Sequence, residues 1–442
     1  IGVDFYVKGF EDFKSAGESY SRKNFSDSSR HQLRVMLDER FDYYLDLIKK
    51  YRNIDRDQAR ELLNEGVYAS EDFLANKLID SLASESTVKD IMKDLSWKDV
   101  IRSNGDAKLN LVSVEEYMTS DQQMHQTDAP KDKQIAIIFA SGTISDDQGR
   151  QSVNAGITPT QFIKSIKSAR ENEDIKAIII RVNSPGGSVL ASESIREEIE
   201  KTRKVKPVYC SMSDVAASGG YYIAMACDTI IASPHTITGS IGVISMFPNF
   251  SKLLGKLDVT VDTISTGDAA QDLNFMIPFR DRQINKINSM MERTYKRFVQ
   301  KVADSRKKDF EEARSLAKGR VWSGIDAKER GLVDTLGGIM TAIDIAKRRI
   351  GLADGQKVLV HTYPEPEDEF ALLMKLFRHN AVAADDYASI GEVYGIDRSQ
   401  VKRLFGSLPA GVREELVYQF QLAAIARKEM ILAATPNLYG IR

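Results

Sequence analysis

The sequence predicts an α/β protein on a parallel-rich sheet, with one structural unit present twice: incomplete in its first copy, complete in its second. Three observations carry this reading. From Lys133 onward, β-branched runs alternate with amphipathic helical stretches. The chain matches itself without gaps at a shift of 254 residues. And 442 residues are too many for one ordinary core.

Within the complete copy, Gln134–Phe139 reads as a buried strand and Thr160–Arg170 as an amphipathic helix. Ile175–Val182 (IKAIIIRV) is a β-branched strand, and Val189–Lys204 a helix with Glu, Lys and Arg on its polar face. Lys206–Ser211 is a third strand; after a turn, Gly219–Ala226 is a short helix. Thr229–Ser233 and Val259–Ile264 read as further strands. Asp281–Ser305 is one long helix, its apolar face set by Ile284, Ile287, Met291, Tyr295, Phe298 and Val302.

The self-match lays Asp4 on Asp258, Val7 on Val261, Ala16 on Ala270 and Met36 on Met290. Asp55 falls on Asp309, Ala59 and Arg60 on Ala313 and Arg314, Leu62 on Leu316. Val67, Tyr68, Asp72, Leu78 and Asp80 fall on Val321, Trp322, Asp326, Leu332 and Asp334. The second copy has roughly 120 residues ahead of this matched part and the first has none, so the chain, which begins with Ile1, is expected to be processed or incomplete. Lys14 falls on Asp268, so any chemistry of Lys14 belongs to one copy alone. The expected domains are residues 1–118, the later part of the first copy; 119–132, a polar linker; 133–350, the second copy; and 351–442, a mostly helical tail.

Composition narrows the function. Apolar residues at 42% and charged residues at 28% are the balance of a globular protein. A net charge of −2 gives no electrostatic footprint for nucleic acid. No apolar run approaches the roughly 20 residues of a membrane helix. Cys210 and Cys227 offer neither a disulfide scaffold nor metal spacing, and their apolar surroundings suit buried free thiols. No metal or cofactor is expected.

Two glycine pairs follow strands: Asn183-Ser184-Pro185-Gly186-Gly187-Ser188 and Ala216-Ala217-Ser218-Gly219-Gly220. Each can turn sharply and expose backbone N–H groups, which an oxyanion hole requires. A plain turn or a close helix–strand packing site would use the same residues. Ser218 stands where a short helix begins, beside unpaired amides and the positive dipole end, as a nucleophile would. A nucleophilic serine needs a base. Among five histidines His235, in Ser233-Pro234-His235-Thr236, is the competitor, although its polar turn suits a solvated side chain. His125 and His361 are poorly placed. A lysine serves only if burial lowers its pKa from about 10.4 towards 7–8. Lys14, in Phe10-Glu11-Asp12-Phe13-Lys14-Ser15-Ala16, has the apolar and small neighbours that permit it.

These segments resemble a family. VNSPGGSVLAS, DVAASGGYYIA and SPHTITGSIGV are similar to the nucleophile domain of signal peptide peptidase A (protease IV), and GRVWSGIDAKERGLVDTLGG to its later signature. GFEDFKSAGES resembles its lysine segment, with Phe13 where Tyr is usual and Gly17 and Ser19 departing around Glu18. The resemblance covers residues 1–349. It implies tandem crotonase-like or Clp protease-like domains, with Ser218 as nucleophile and Lys14 as general base. Gly219 and one of Gly186 and Gly187 would form the oxyanion hole, and Ser240 would orient the lysine. It further implies cleavage of signal peptides and other small or unfolded peptides on the periplasmic side of the bacterial inner membrane. A homo-oligomer, a tetramer in the family, and an N-terminal membrane anchor absent from this sequence complete the expectation. Two rival readings are a crotonase-type acyl-CoA hydratase or hydrolase, which would use carboxylates rather than a serine, and a catalytically inactive membrane-associated scaffold.

Overall fold

The computed structural model describes residues 2–66, 69–95, 100–103, 106–109, 111–113, 129–146, 156–267, 269–272, 274–364 and 432–434. The expected linker and helical tail lie mostly outside them. The chain divides into two units, Ile1–Leu33 with Pro130–Arg442, and Arg34–Ala129. Among the described residues no helix is long and apolar enough to cross a membrane.

The first copy supplies β1 (Asp4–Gly9), α1 (Glu18–Ser21), α2 (Asp27–Arg52), α3 (Arg56–Glu65), α4 (Ser70–Ala75), α5 (Glu85–Leu95) and the hairpin β2 (Val100–Ser103) and β3 (Asp106–Leu109). The Arg34–Ala129 unit has its own small core of Leu45, Ile48, Ile54 and Ala59. The second copy begins with β4 (Gln134–Ser141), α6 (Pro159–Glu171), β5 (Ile175–Ser184), β6 (Gly186–Ser188), α7 (Val189–Arg203) and β7 (Val208–Ala217). It continues through α8 (Gly219–Ala224), β8 (Thr229–Ala232), β9 (Ile237–Gly239), β10 (Ile244–Asn249) and α9 (Ser251–Lys256). After these come α10 (Asp281–Arg306), α11 (Phe310–Leu316), β11 (Val321–Trp322), α12 (Gly324–Glu329), β12 (Thr335–Leu336), α13 (Ile339–Arg349), β13 (Val360–Tyr363) and β14 (Leu432–Ala434).

The main sheet runs β11-β9-β7-β5-β4-β13, with β8 and β12 continuing it from β7. Its pairings are parallel except that of β9 with β11. Ala177–Ile180 and Val182 of β5 are fully buried, as a strand covered on both faces requires. Side chains alternate across the sheet. Ile178 and Ile180 pack with Phe162, Ile166, Ile195 and Ile199, while Ile179 joins Ala342 and Ala346 of α13 on the other face. The α/β class expected from the sequence agrees with this sheet.

The 254-residue offset returns in the element bounds. α2 and α10 are both 26 residues long and begin at Asp27 and Asp281. α3 and α11 begin at Arg56 and Phe310, and α4 and α12 span Ser70–Ala75 and Gly324–Glu329.

Two strand expectations need correction. The third strand extends well past Ser211 to Ala217, because its first half pairs with β8 and its second half with β9. Val259–Ile264 forms no strand. Val259, Val261 and Ile264 are exposed, Ile264 completely, and no neighbouring edge bonds to them. A second, small sheet in the order β1-β10-β14-β6 stands beside the main one.

Candidate active site

Ser218 ends β7 and caps α8, with φ 56° and ψ −114°. Positive φ is costly for a serine and is sustained only where surrounding contacts fix it. Here Ser218 N–H donates to Gly239 O at 2.8 Å, and Tyr222 N–H donates to Ser218 O at 2.8 Å. Gly219, as first residue of α8, has an N–H with no acceptor inside the helix.

The two glycine pairs come together. A Cβ on Gly219 would stand 3.1 Å from Gly186 Cα and Gly187 N, and one on Gly187 would strike Ile144 O. The Gly187 approach requires glycine, and at Gly219 a side chain would be tight. Gly186 N–H donates to Ser184 Oγ at 3.2 Å, whereas its neighbour faces the opposite edge of β6. Ser188 caps α7, accepting from Ala191 N–H.

Lys14 arrives on the loop after β1. Phe10 N–H donates to Val243 O and Phe13 N–H to Lys318 O, both at 3.0 Å. The side chain then passes a slot open only because two residues lack side chains: a Cβ on Gly319 would meet Lys14 Cβ at 2.5 Å, and one on Gly242 would meet Lys14 Cδ at 3.2 Å. Lys14 Nζ lies 2.8 Å from Ser218 Oγ, 2.9 Å from Ser240 O and 3.0 Å from Ser240 Oγ. Lys14 is 5% exposed, and Ser218 and Ser240 not at all. Burial alone holds the Lys14 amine well below the ordinary lysine pKa, since no carboxylate among the described residues bonds to it.

His235 lies in the turn between β8 and β9, while the group at hydrogen-bond distance from Ser218 Oγ is Lys14 Nζ. His361 is exposed on β13, and His125 lies outside the described residues. Cys210 and Cys227 are buried and free.

Sequence reasoning missed Gln32. Its side-chain amide donates to Phe13 O and Ser15 Oγ, each at 3.3 Å, and its carbonyl accepts from Val321 N–H at 3.2 Å. It thus ties the lysine loop to β11 from both sides of Lys14. Arg320 was missed too, its guanidinium 5.3 Å from the Phe13 ring and 4.1 Å from that of Trp322.

A parallel-rich sheet whose carboxyl end presents a strained, buried serine beside a buried lysine defines a class, the α/β proteins with a hydroxyl–amine pair at the sheet's end. Comparison with known proteins makes this particular. The model of peptidase family S49 matches residues 1–99 and 200–353, and the chain belongs to that family. It is 34% identical over 406 residues to the chloroplastic serine protease SPPA of Arabidopsis thaliana, covering 90% of this chain and 57% of that one. Protease 4 of Haemophilus influenzae is 33% identical over 76% of this chain, and protease 4 of Salmonella typhi 35% over 78%, each covered to 55% of its own length. The chain therefore spans a little over half the length of these relatives. Two solved structures, a ClpP1 mutant from Listeria monocytogenes and a mutant of the 1510-N membrane-bound stomatin-specific protease, match 51% and 53% of this chain. Their identities are 15% and 16%, with 99% of each covered and TM-scores of 0.32 and 0.34.

Proposed function

We propose that this S49 serine peptidase chain cleaves peptides with Ser218 as nucleophile and Lys14 as general base. The observation that supports it most is the 2.8 Å approach of a buried lysine amine to a buried serine hydroxyl. Proton counting agrees. A neutral amine has two N–H groups and one lone pair. Ser240 O can only accept, and Ser240 Oγ can take the second N–H, so the lone pair is left for the Ser218 hydroxyl proton. Ser240 acts as the lysine-orienting residue.

As Lys14 takes that proton, Ser218 Oγ bonds to the peptide carbonyl carbon and the carbonyl oxygen becomes an oxyanion. The N–H groups of Gly219 and Gly187 receive it. Of the two candidate glycines Gly187 is favoured, because the N–H of Gly186 is engaged by Ser184 Oγ. The C–N bond then breaks, Lys14 returns the proton to the leaving amine, and water, deprotonated by the same lysine, releases the acyl group. Signal peptides and other small or unfolded peptides are the proposed substrates. The outer side of the bacterial inner membrane and a tetrameric assembly belong to the same proposal, as what the resemblance of the Ser218 and Lys14 segments implies.

The test labels wild type and Lys14→Met with a peptidyl phosphonate directed at serine, at neutral pH, followed by intact mass and peptide mapping. Modification at Ser218 that is lost or greatly slowed in Lys14→Met is expected. Equal labelling of both would remove Lys14 and turn attention to His235. An inert, well-folded wild type would favour a scaffold or an acyl-CoA enzyme.

A further inference from the structure

The main sheet has a second end. Ser218 follows the carboxyl end of β7, and the amino end of that ten-residue strand lies about 30 Å away. There an open cleft of about 790 Å³ is bounded by the last residues of α7 and α13 and by the entries to β7 and β8. A second hollow adjoins it at the entries to β4 and β5, sharing Pro207 and Arg349. Arg203, Lys204, Lys206, Arg348 and Arg349 line the cleft, and Lys133 and Lys176 the hollow, against the carboxylates of Asp228 and Asp132. These charges are unevenly answered. Arg203 Nε lies 3.1 Å from Asp228 and Arg348 Nη1 3.8 Å from Asp354. Lys133, Lys176 and Lys206 donate instead to backbone carbonyls, of Gly351, of Glu173, and of Ala169 and Asn172. Among the described residues no carboxylate pairs with these three lysines, or with the exposed Lys204 and Arg349. Burial and the neighbouring charge of Lys176 hold the Lys206 amine below the ordinary lysine pKa, with Glu173 opposing them. Helix carboxyl ends explain part of this basicity, since each offers about half a negative charge. Three such ends meet here, those of α6, α7 and α13, and Lys206 caps the first. Even with Asp132 and Glu173 close by, five unpaired cations outweigh them, in a chain whose net charge is −2.

We propose that this cleft is a binding site for a compact anion carrying two or more phosphate groups, and that it stands whether or not the Ser218–Lys14 reading holds. Its volume is that of a small-ligand pocket. A carboxylate answers one cation, whereas a phosphate brings up to two negative charges and three acceptor oxygens to one point. Cations from separate segments converge here, so a ligand of several charges is shared among them. Arg349 supplies the planar fork that takes two phosphate oxygens at once, and Lys204 a point charge on a flexible stem. Val205, Pro207 and Ile345 form an apolar wall beside them, which suits a ligand with an uncharged part. Tyr209 also lines the cleft, and burial raises its pKa, so its hydroxyl stays protonated and can donate to a phosphate oxygen. A soluble compound and a lipid headgroup present the same phosphate chemistry, and the test separates them.

The test titrates the full chain with sodium tripolyphosphate in a calorimeter. Beside it stands the double variant Lys204→Glu with Arg349→Glu, which reverses two exposed charges and leaves the Lys206 cap of α6 in place. Lys286→Glu with Lys296→Glu, two exposed lysines of α10, makes the same change in net charge elsewhere. Wild type should bind, less tightly as salt is added. The cleft pair should weaken binding by at least about tenfold and the α10 pair by less than about twofold. Arg349→Lys, which keeps the charge and loses the fork, is the milder second variant and should weaken it about threefold. Co-sedimentation with phosphatidylglycerol vesicles, with phosphatidylcholine as the blank, identifies the source. Tripolyphosphate binding without pelleting assigns the site to a soluble compound. Pelleting on phosphatidylglycerol alone, lost in the cleft pair, assigns it to a headgroup. Three results would overturn the proposal: no binding to either probe, equal effects of the two reversed pairs, or oligoglutamate of matched charge binding as tightly as tripolyphosphate.

Discussion

Two stretches 254 residues apart share a sequence pattern and end in different states. Asp4–Gly9 is a six-residue strand on β10, and the loop beyond it delivers Lys14 to Ser218. Asp258–Thr263, its counterpart, forms no strand: Asp258 sits in a turn at φ 53° and Val259 and Val261 are exposed, and Asp268, the counterpart of Lys14, lies outside the described residues. The difference is not local propensity, since Val259-Thr260-Val261 is the more β-branched of the two. It is whether an edge is available. β10 offers its edge to β1, and Pro248, which cannot donate, sits opposite Phe5 so that the bonded pairs fall at Tyr6–Phe247 and Lys8–Ser245. Strand propensity is realised only through pairing.

The largest test of this asymmetry is chemical. Ser218→Ala and Lys14→Met should each lower kcat/KM for peptide hydrolysis by roughly 10³–10⁴-fold. Asp268→Lys added to Lys14→Met should restore nothing in steady-state assays; recovery would mean that the two copies are interchangeable.

A smaller effect probes the strand itself. Lys8 is exposed, but its N–H lies in a bonded pair, so Lys8→Pro should cost about 2 kcal/mol in thermal or denaturant unfolding and loosen the lysine loop. The matched change Asp262→Pro, in the unpaired stretch, should leave Tm and activity unaltered. Equal destabilisation would show that residues 258–263 also pair.

The pH profile is next. Lys14 must be neutral to act, so kcat/KM should fall tenfold per pH unit below its lowered pKa, a limb absent from Lys14→Met. The stability consequence has a definite sign. The unfolded chain holds the lysine proton up to about pH 10.4 while the folded chain sheds it at lower pH, so folding stability should rise with pH between those two values. Lys14→Met should flatten that rise in urea melts.

Gln32→Leu should give the mildest change, a loss of about 1–2 kcal/mol with kcat reduced several-fold and KM nearly unchanged. A shift in KM alone would remove Gln32 as a positioning residue.

Much of the site was legible before the fold. The glycine pairs and Ser218 stood out because strand-end turns demand particular residues, and Lys14 because it broke the repeat where its counterpart is an acid. Gln32 and Arg320 were not legible. Each acts on a partner far away in sequence, Gln32 across nearly 290 residues to Val321, and nothing in local spacing encodes such a contact. Nor did the sequence favour either Gly186 or Gly187; the proposal for Gly187 rests on Ser184 Oγ engaging the N–H of the first.

By itself the sequence determined the alternation of strand and helix, the duplicated unit and the chemical types available to the site, because periodicity, turn chemistry and self-similarity are properties of neighbouring residues. Tertiary structure alone decided which copy's strand would pair, how a lysine more than 200 residues from its serine is desolvated beside it, and which segment fills the edge of β6. Those depend on what surrounds a group in space, where burial sets the amine's charge and a free edge decides between strand and exposed chain.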